Sequence, residues 1–275
     1  MLTNDAQHMD LQAVLQRFHR DGYARLGKVL NIEGLSALRE RCNALMLGKT
    51  TYPGMFFQHD SPSGRYKDLS YGKGWVGPSL AYRKVEGLEA DPLILTWIKN
   101  DLFERLAREV IGARVSLYRA VLWNKAVLAG TELPWHQDDG RFWGIDRSPQ
   151  LQLWTALDDA PAGAGCVEVV PGTHRYGLAS AEGGTVQKES LEAWEAAQRK
   201  VALEASAGEV LLIHNHVWHR SGHNRTQSPR RAISISLMDA ATKCLRKRRK
   251  PRQFMQLFGT ASVQVGTDSS WHNRN

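Results

Sequence analysis

Residues 208–238 read GEVLLIHNHVWHRSGHNRTQSPRRAISISLM, and this stretch decides the fold. An apolar run at 209–214 has the length and composition of a buried strand. A second run at 231–238 alternates strictly, with Ile233, Ile235 and Leu237 on one face. Arg230, Ala232, Ser234 and Ser236 fall on the other, small and polar as a cavity lining should be. By that parity Arg230 points inward and Arg231 outward. A buried guanidinium suits a carboxylate, because it can make two parallel charge-assisted hydrogen bonds.

Working outward, short apolar or alternating segments recur at 115–125, 151–157 and 166–170, separated by Gly, Pro, Asn or Asp. Regular short strands of this kind predict a mainly β fold, a jelly roll or β-sandwich, with flanking helices. Between two of these strands lies WHQDD at 135–139. On an extended segment His136 and Asp138 share a face and Asp139 takes the other, so Asp138 is the preferred carboxylate. The pair His-x-Asp is common by chance. It gains meaning from the histidines at 214, 216, 219 and 223, any of which could add a second imidazole. Two imidazoles and one carboxylate on one face of an octahedral ion leave three adjacent positions open, the usual arrangement of iron(II) oxygenases.

The first half of the chain reads differently. Leu11, Val14, Leu15 and Phe18 have helical spacing that ends at Gly22, and a second helix is expected over 32–46. A third is expected from Asp91-Pro92 to about residue 111. The stretch 50–87 is rich in Gly, Pro, Tyr and charge with little periodicity, and a loop that long is usually functional. The expected organisation is one domain over 1–275. It has a helical part to about 112, a jelly-roll core over 113–240 and a basic extension over 241–275.

The net charge of +8 is concentrated. Lys243, Arg246, Lys247, Arg248, Arg249, Lys250 and Arg252 place seven positive charges within ten positions, so the basic character belongs to one segment. A block of like charge is usually a solvated face, and Phe254 and Phe258 after it have the spacing of a short packing helix. No specific nucleic-acid partner is expected. Cys42, Cys166 and Cys244 are far apart and odd in number, which argues against disulfides and a cysteine zinc site. No apolar run approaches the roughly 20 residues of a membrane helix. The start lacks the pattern of a secretory signal. The protein is expected to be cytoplasmic, with no membrane partner; the sequence leaves its oligomeric state open.

The segments WHQDDGRFW, LQLWTALDD, GAGCVEVVPGTHRYG, GEVLLIH, WHRSGHNRT and RRAIS, in this order, resemble the phytanoyl-CoA hydroxylase family of 2-oxoglutarate oxygenases. The likeness is dense over about 115–240 and loose over the N-terminal helices. It implies a cupin-like double-stranded β-helix, with iron(II), 2-oxoglutarate and O2 as cofactor and cosubstrates. It also implies oxidation, most simply hydroxylation, of a C–H bond in a small-molecule substrate, with release of succinate and carbon dioxide. The family's second ligand histidine precedes x-Ser-Gly-x-Asn, which selects His219. Its cosubstrate arginine lies eleven positions on, at Arg230, and Ser221, Trp154 and Lys125 match positions near the cosubstrate. Asp138 argues against a halogenase, since those relatives carry a small residue there.

Arg65, Tyr66, Tyr82, Arg83, Arg119, Gln137 and Trp143 are candidates for holding substrate, because they lie in the unpatterned stretch or around the metal motif. Each has an ordinary reading as a packing or surface residue, as Trp154 does in the core and Lys125 at a strand end. Three competing functions stand beside the small-molecule oxygenase. One is a nucleic-acid oxygenase, motivated by the basic segment. Another is a binding relative without catalysis. The third is a zinc hydrolase, for which an inward arginine has no use.

Overall fold

A computed structural model describes residues 1–72, 74–247 and 251–259. Helix α1 (Asn4–Gln7), α2 (Gln12–Asp21), strand β1 (Tyr23–Lys28) and α3 (Ile32–Met46) come first. They are followed by β2 (Phe56–His59), β3 (Tyr82–Glu86), α4 (Pro92–Ile98) and α5 (Asp101–Val110). Strands then dominate: β4 (Val115–Lys125), β5 (Leu133–Gln137), β6 (Leu151–Ala156), β7 (Val167–Val170) and β8 (Gly184–Thr185). After α6 (Lys188–Ala193) and α7 (Ala196–Arg199) come β9 (Val201–Leu203), β10 (Glu209–Ile213), β11 (Trp218–Ser221), β12 (Arg230–Asp239) and β13 (Gln256–Phe258).

Two antiparallel sheets result. The larger has the order β1-β10-β6-β12-β4-β3-β2, with β13 also on β4, and the smaller has β8-β5-β11-β7-β9. From β4 to β7, and again from β9 to β12, the chain changes sheet at every connection. This is the winding of a jelly roll, as expected.

Alternation along the large sheet separates two cores. Leu151, Leu153, Val210, Leu212, Ile233 and Ile235 pack toward the helices with Leu38, Trp97 and Phe103. Their sequence neighbours Trp154, Ala156, Leu211, Ile213 and Ala232 pack with Val167, Val169 and Leu203 of the small sheet. The functional cavity therefore opens on the second face, between the sheets.

Three expectations need correction. The part before 112 is not helical throughout, for β1, β2 and β3 belong to the large sheet. Their runs are short and set among Gly and Pro, so periodicity hides them, whereas pairing with β10 and β4 defines them. The helix expected over 91–111 is two helices. The Asn100 side chain accepts from the Phe103 amide (3.0 Å) and donates to the Trp97 carbonyl (2.6 Å), capping one helix and ending the other. Finally, residues 256–258 form a strand on β4 rather than a short helix. Of the basic segment, Arg248, Arg249 and Lys250 lie outside the described residues.

Candidate metal centre

His136 on β5 and His219 on β11 face each other directly in the antiparallel register. A cross-strand pair stands close on one sheet face, and here the ring centroids are 4.1 Å apart. Each ring is aimed by the backbone two residues before it. His136 Nδ1 lies 2.8 Å from the Pro134 carbonyl and His219 Nδ1 lies 2.9 Å from that of Val217. A carbonyl only accepts, so both Nδ1 atoms carry the proton and both Nε2 lone pairs are available to a metal. The Nε2 atoms lie 4.0 and 3.7 Å from the Asp138 carboxylate, and one ligand atom from each of the three residues lies within 4.8 Å of the others.

Asp138 follows the end of β5 and is held on every side. Its amide donates to the Asn215 carbonyl (2.8 Å), and its own carbonyl accepts from Asn215 Nδ2 (3.0 Å). Oδ2 accepts from Gln152 Nε2 (2.7 Å) and Oδ1 from Arg119 Nη2 (3.3 Å). Burial alone pushes this carboxyl up, yet Arg119 and the two imidazoles hold it below the usual carboxylate range. Burial, then the neighbouring His219, pushes His136 down to about 4, so at neutral pH His136 is a neutral imidazole beside the Asp138 carboxylate. This donor set fits iron(II).

The remaining histidines of this stretch are used elsewhere. His216 pairs with Asp139 at 2.8 Å, which turns that carboxylate away from the centre. His214 packs against Phe18 and His174, and His223 meets the Gly130 carbonyl.

The centre lies between two spaces. A narrow inner chamber of about 60 Å³ reaches Lys125, Trp154, Ser221 and Arg230. Arg230 is 3% exposed, and its Nε meets no hydrogen-bond partner among the described residues, nor does the Ser221 hydroxyl. Burial lowers Arg230 to about 10, so it stays protonated at neutral pH. A buried cation with an unmet donor favours an anionic acceptor. Lys125 gives its ammonium to the Thr131 carbonyl (2.7 Å), and burial followed by Arg230 holds it well below the usual lysine range. Arg231, facing the other way, is paired with Asp158 at 2.7 Å.

A wider outer cleft shares His136, Asp138, Leu133, Trp123 and Arg83 with the inner chamber. Of the substrate candidates, Tyr66, Arg83, Arg119 and Trp143 line it. Arg65 does not: it pairs with Asp68 on the surface. Tyr82 is fully buried and its hydroxyl pins the loop at Val76 and Gly77, so it supports the cleft from behind. Gln137 borders the cleft, but its amide is engaged with the carbonyls of Gly177 and His216 and the amide of Ala179.

Gln152 and Asn215 escape the sequence reading. Parity on β6, which puts Gln152 on the face of Trp154, was the signal for the first. A further arrangement joins the basic segment to the centre. Arg252 lies over Tyr118 (4.9 Å), Tyr118 stacks on Trp143 (4.3 Å), and Arg119 covers Trp143 (4.7 Å) while reaching Asp138. Arg246 donates to the Phe142 carbonyl.

Residues 18–232 match the model of the phytanoyl-CoA dioxygenase (PhyH) family. A phytanoyl-CoA dioxygenase of Arabidopsis thaliana is 27% identical over 250 residues, covering 82% of this chain and 88% of that one. Phytanoyl-CoA dioxygenase domain-containing protein 1 of Mus musculus is 34% identical over 120 residues, 41% of each chain. The peroxisomal enzyme of Homo sapiens is 26% identical, over 63% of this chain and 54% of its own. The match thus spans about half or less of the last two. Among solved structures, the epimerase SnoN in complex with Fe3+, alpha ketoglutarate and nogalamycin RO has a TM-score of 0.70 at 18% identity, covering 90% and 98% of the two chains. EctD from S. alaskensis with 2-oxoglutarate and 5-hydroxyectoine has a TM-score of 0.70 at 21% identity, covering 92% and 84%. These two share the fold. With the family model spanning most of the sequence, the chain is an enzyme of the phytanoyl-CoA dioxygenase family.

Proposed function

We propose that the enzyme is an iron(II)- and 2-oxoglutarate-dependent dioxygenase that hydroxylates a C–H bond of a small metabolite. His136, Asp138 and His219 hold the metal. Arg230, with Ser221, Trp154 and Lys125 around it, receives the cosubstrate's far carboxylate in the inner chamber. The observation that carries this reading is Arg230, a buried cation with an unmet donor on the chamber shared with the three ligands. Iron(II) with 2-oxoglutarate and dioxygen supplies the oxidising chemistry, with succinate and carbon dioxide as the accompanying products.

The protein's own residues position and exclude. Gln152 is oriented by the Ser234 hydroxyl (3.0 Å) and fixes one Asp138 oxygen, while Arg119 fixes the other. The outer cleft admits substrate to the opposite side of the ligands from Arg230. The described arginines of the basic segment, Arg246 and Arg252, contact the protein's own chain, which supports a small-molecule rather than a nucleic-acid substrate. A zinc hydrolase leaves Arg230 without a role, and the complete ligand set favours catalysis over binding alone.

No helix among the described residues is long and apolar enough to cross a membrane. A cytoplasmic location is part of the proposal, supported by the buried thiols of Cys42 and Cys166.

The test is iron content and succinate formation across a metabolite panel. Asp138→Ala is expected to lose both, whereas Asp139→Ala, whose carboxylate bonds His216, keeps its iron. Iron retained in the first and lost in the second would move the site.

A further inference from the structure

We infer that the outer cleft takes an organic anion with a flat, unsaturated body, its charged group meeting Arg83. This rests on the reading that the outer cleft is the substrate side of the metal centre. The argument begins with charge. Lys67, Arg83, Lys84 and Arg119 all reach the cleft, an open space of about 650 Å³. Their nearby carboxylates are fewer. Glu86 is shared by Lys84 (2.6 Å) and Arg119 (3.6 Å), and Asp138 belongs to the metal. Lys67 is exposed to solvent, and of the three that are not, Arg83 is the least answered. It is 6% exposed, its 2.6 Å hydrogen bond goes to the neutral Gln58 amide, and its nearest carboxylate, Asp60, stands 3.9 Å away. A desolvated guanidinium so placed favours an anion that can accept from its fork.

The shape of the walls supplies the second half. Trp123 and Trp143 line the cleft, and Phe56, Tyr66, Tyr71 and Phe142 carry the apolar surface outward. Tyr71 is 87% exposed and Phe142 53% exposed, and exposed aromatic side chains at the rim of a cleft mark a binding face. The cations are seated on these rings. Arg83 lies 5.3 Å from the Trp123 ring centre and Lys84 lies 5.3 Å from the same ring and 5.4 Å from Phe56. Tyr118 and Arg119 occupy Trp143, and Arg83 and Lys84 occupy Trp123, so the rings open to a bound molecule are the exposed Tyr66, Tyr71 and Phe142. A flexible aliphatic tail laid on them pays ordering entropy, whereas a rigid ring system packs without that loss.

The experiment is anaerobic calorimetric titration of the full chain loaded with iron(II) and 2-oxoglutarate. The probes are 2-naphthoate, the neutral 2-naphthalenemethanol and the aliphatic octanoate. Naphthoate is expected to bind about tenfold or more tightly than either control, one charged hydrogen bond or one stacked ring being worth that much. Arg83→Gln should remove most of the advantage over the neutral probe, weakening naphthoate far more than 2-oxoglutarate, and Arg83→Lys should recover part of it. Equal ranking of the three probes, or no binding of naphthoate at millimolar concentration, overturns the inference. So does an Arg83→Gln effect that falls mainly on 2-oxoglutarate. A separate control, slow succinate formation by the wild type without probe, tests the underlying reading: its absence counts against the oxygenase, whatever the ranking.

Discussion

Two neighbouring arginines on β12 state the residue-scale case most sharply. Arg230 faces a chamber with an unmet donor, while Arg231 makes paired hydrogen bonds to Asp158 at 2.7 and 2.9 Å. Removing Arg230 is expected to raise the 2-oxoglutarate requirement by roughly ten- to a hundredfold, the worth of a hydrogen bond to a charged group. Arg231→Ala should leave that requirement nearly unchanged and instead lower stability by about 1.5–3 kcal/mol, because it strips a largely buried ion pair. Titration of 2-oxoglutarate and thermal melting of both variants read the two outcomes apart. This distinction is legible in the sequence, as is Asp138 over Asp139, because a strand's period of two assigns faces without knowledge of the fold. The choice of His219 is not legible in that way. Four imidazoles lie within ten positions that cross a turn, where parity fails, and only the family's motif selects among them.

At the scale of elements, the stretch 50–87 divides into strands paired into the sheet and a connection that lines the outer cleft. β2 and β3 are paired into the large sheet, whereas the segment between them carries Tyr66, Lys67, Leu69 and Tyr71 to the outer cleft. Protease nicking is therefore expected within 61–81 rather than in the flanking strands, and should slow when iron, 2-oxoglutarate and substrate are bound together. Tyr82→Phe, which deletes the hydroxyl that holds Val76 and Gly77, should accelerate nicking in the absence of ligand. Cleavage indifferent both to ligands and to Tyr82 would reduce this segment to ordinary surface. The two strands were hidden in the sequence because long-range pairing, not local propensity, creates them. The same holds for β13, which brings the end of the basic segment back to β4.

Over the whole molecule, alternation along one sheet sorts side chains into a helix-covered core and a functional cavity, with both ligand histidines on the smaller sheet and Asp138 just past its β5. The sequence carries this architecture through its strand pattern. It does not carry the division into inner chamber and outer cleft, which depends on how both sheets and the 61–81 segment meet. Stability should follow pH in a predictable direction. Burial, followed by the neighbouring His174, His216 and His19, pushes His214 down to about 3, whereas an unfolded histidine takes its proton near pH 6.5. Below that pH the unfolded state gains a proton that the folded state refuses. Stability is thus full above pH 6.5 and is lost as pH falls toward 3, by at most about 1.4 kcal/mol per pH unit. His214→Gln should flatten the fall in melting temperature between pH 6.5 and 4, and an unchanged slope would remove this account. The central claim, an oxygenase that couples 2-oxoglutarate to dioxygen at His136, Asp138 and His219, is tested most directly by isotope-labelled dioxygen. With iron(II) and 2-oxoglutarate, the wild type should place one labelled oxygen atom in each succinate, and Asp138→Ala should form none; succinate without label, or equal labelling in the variant, would contradict it.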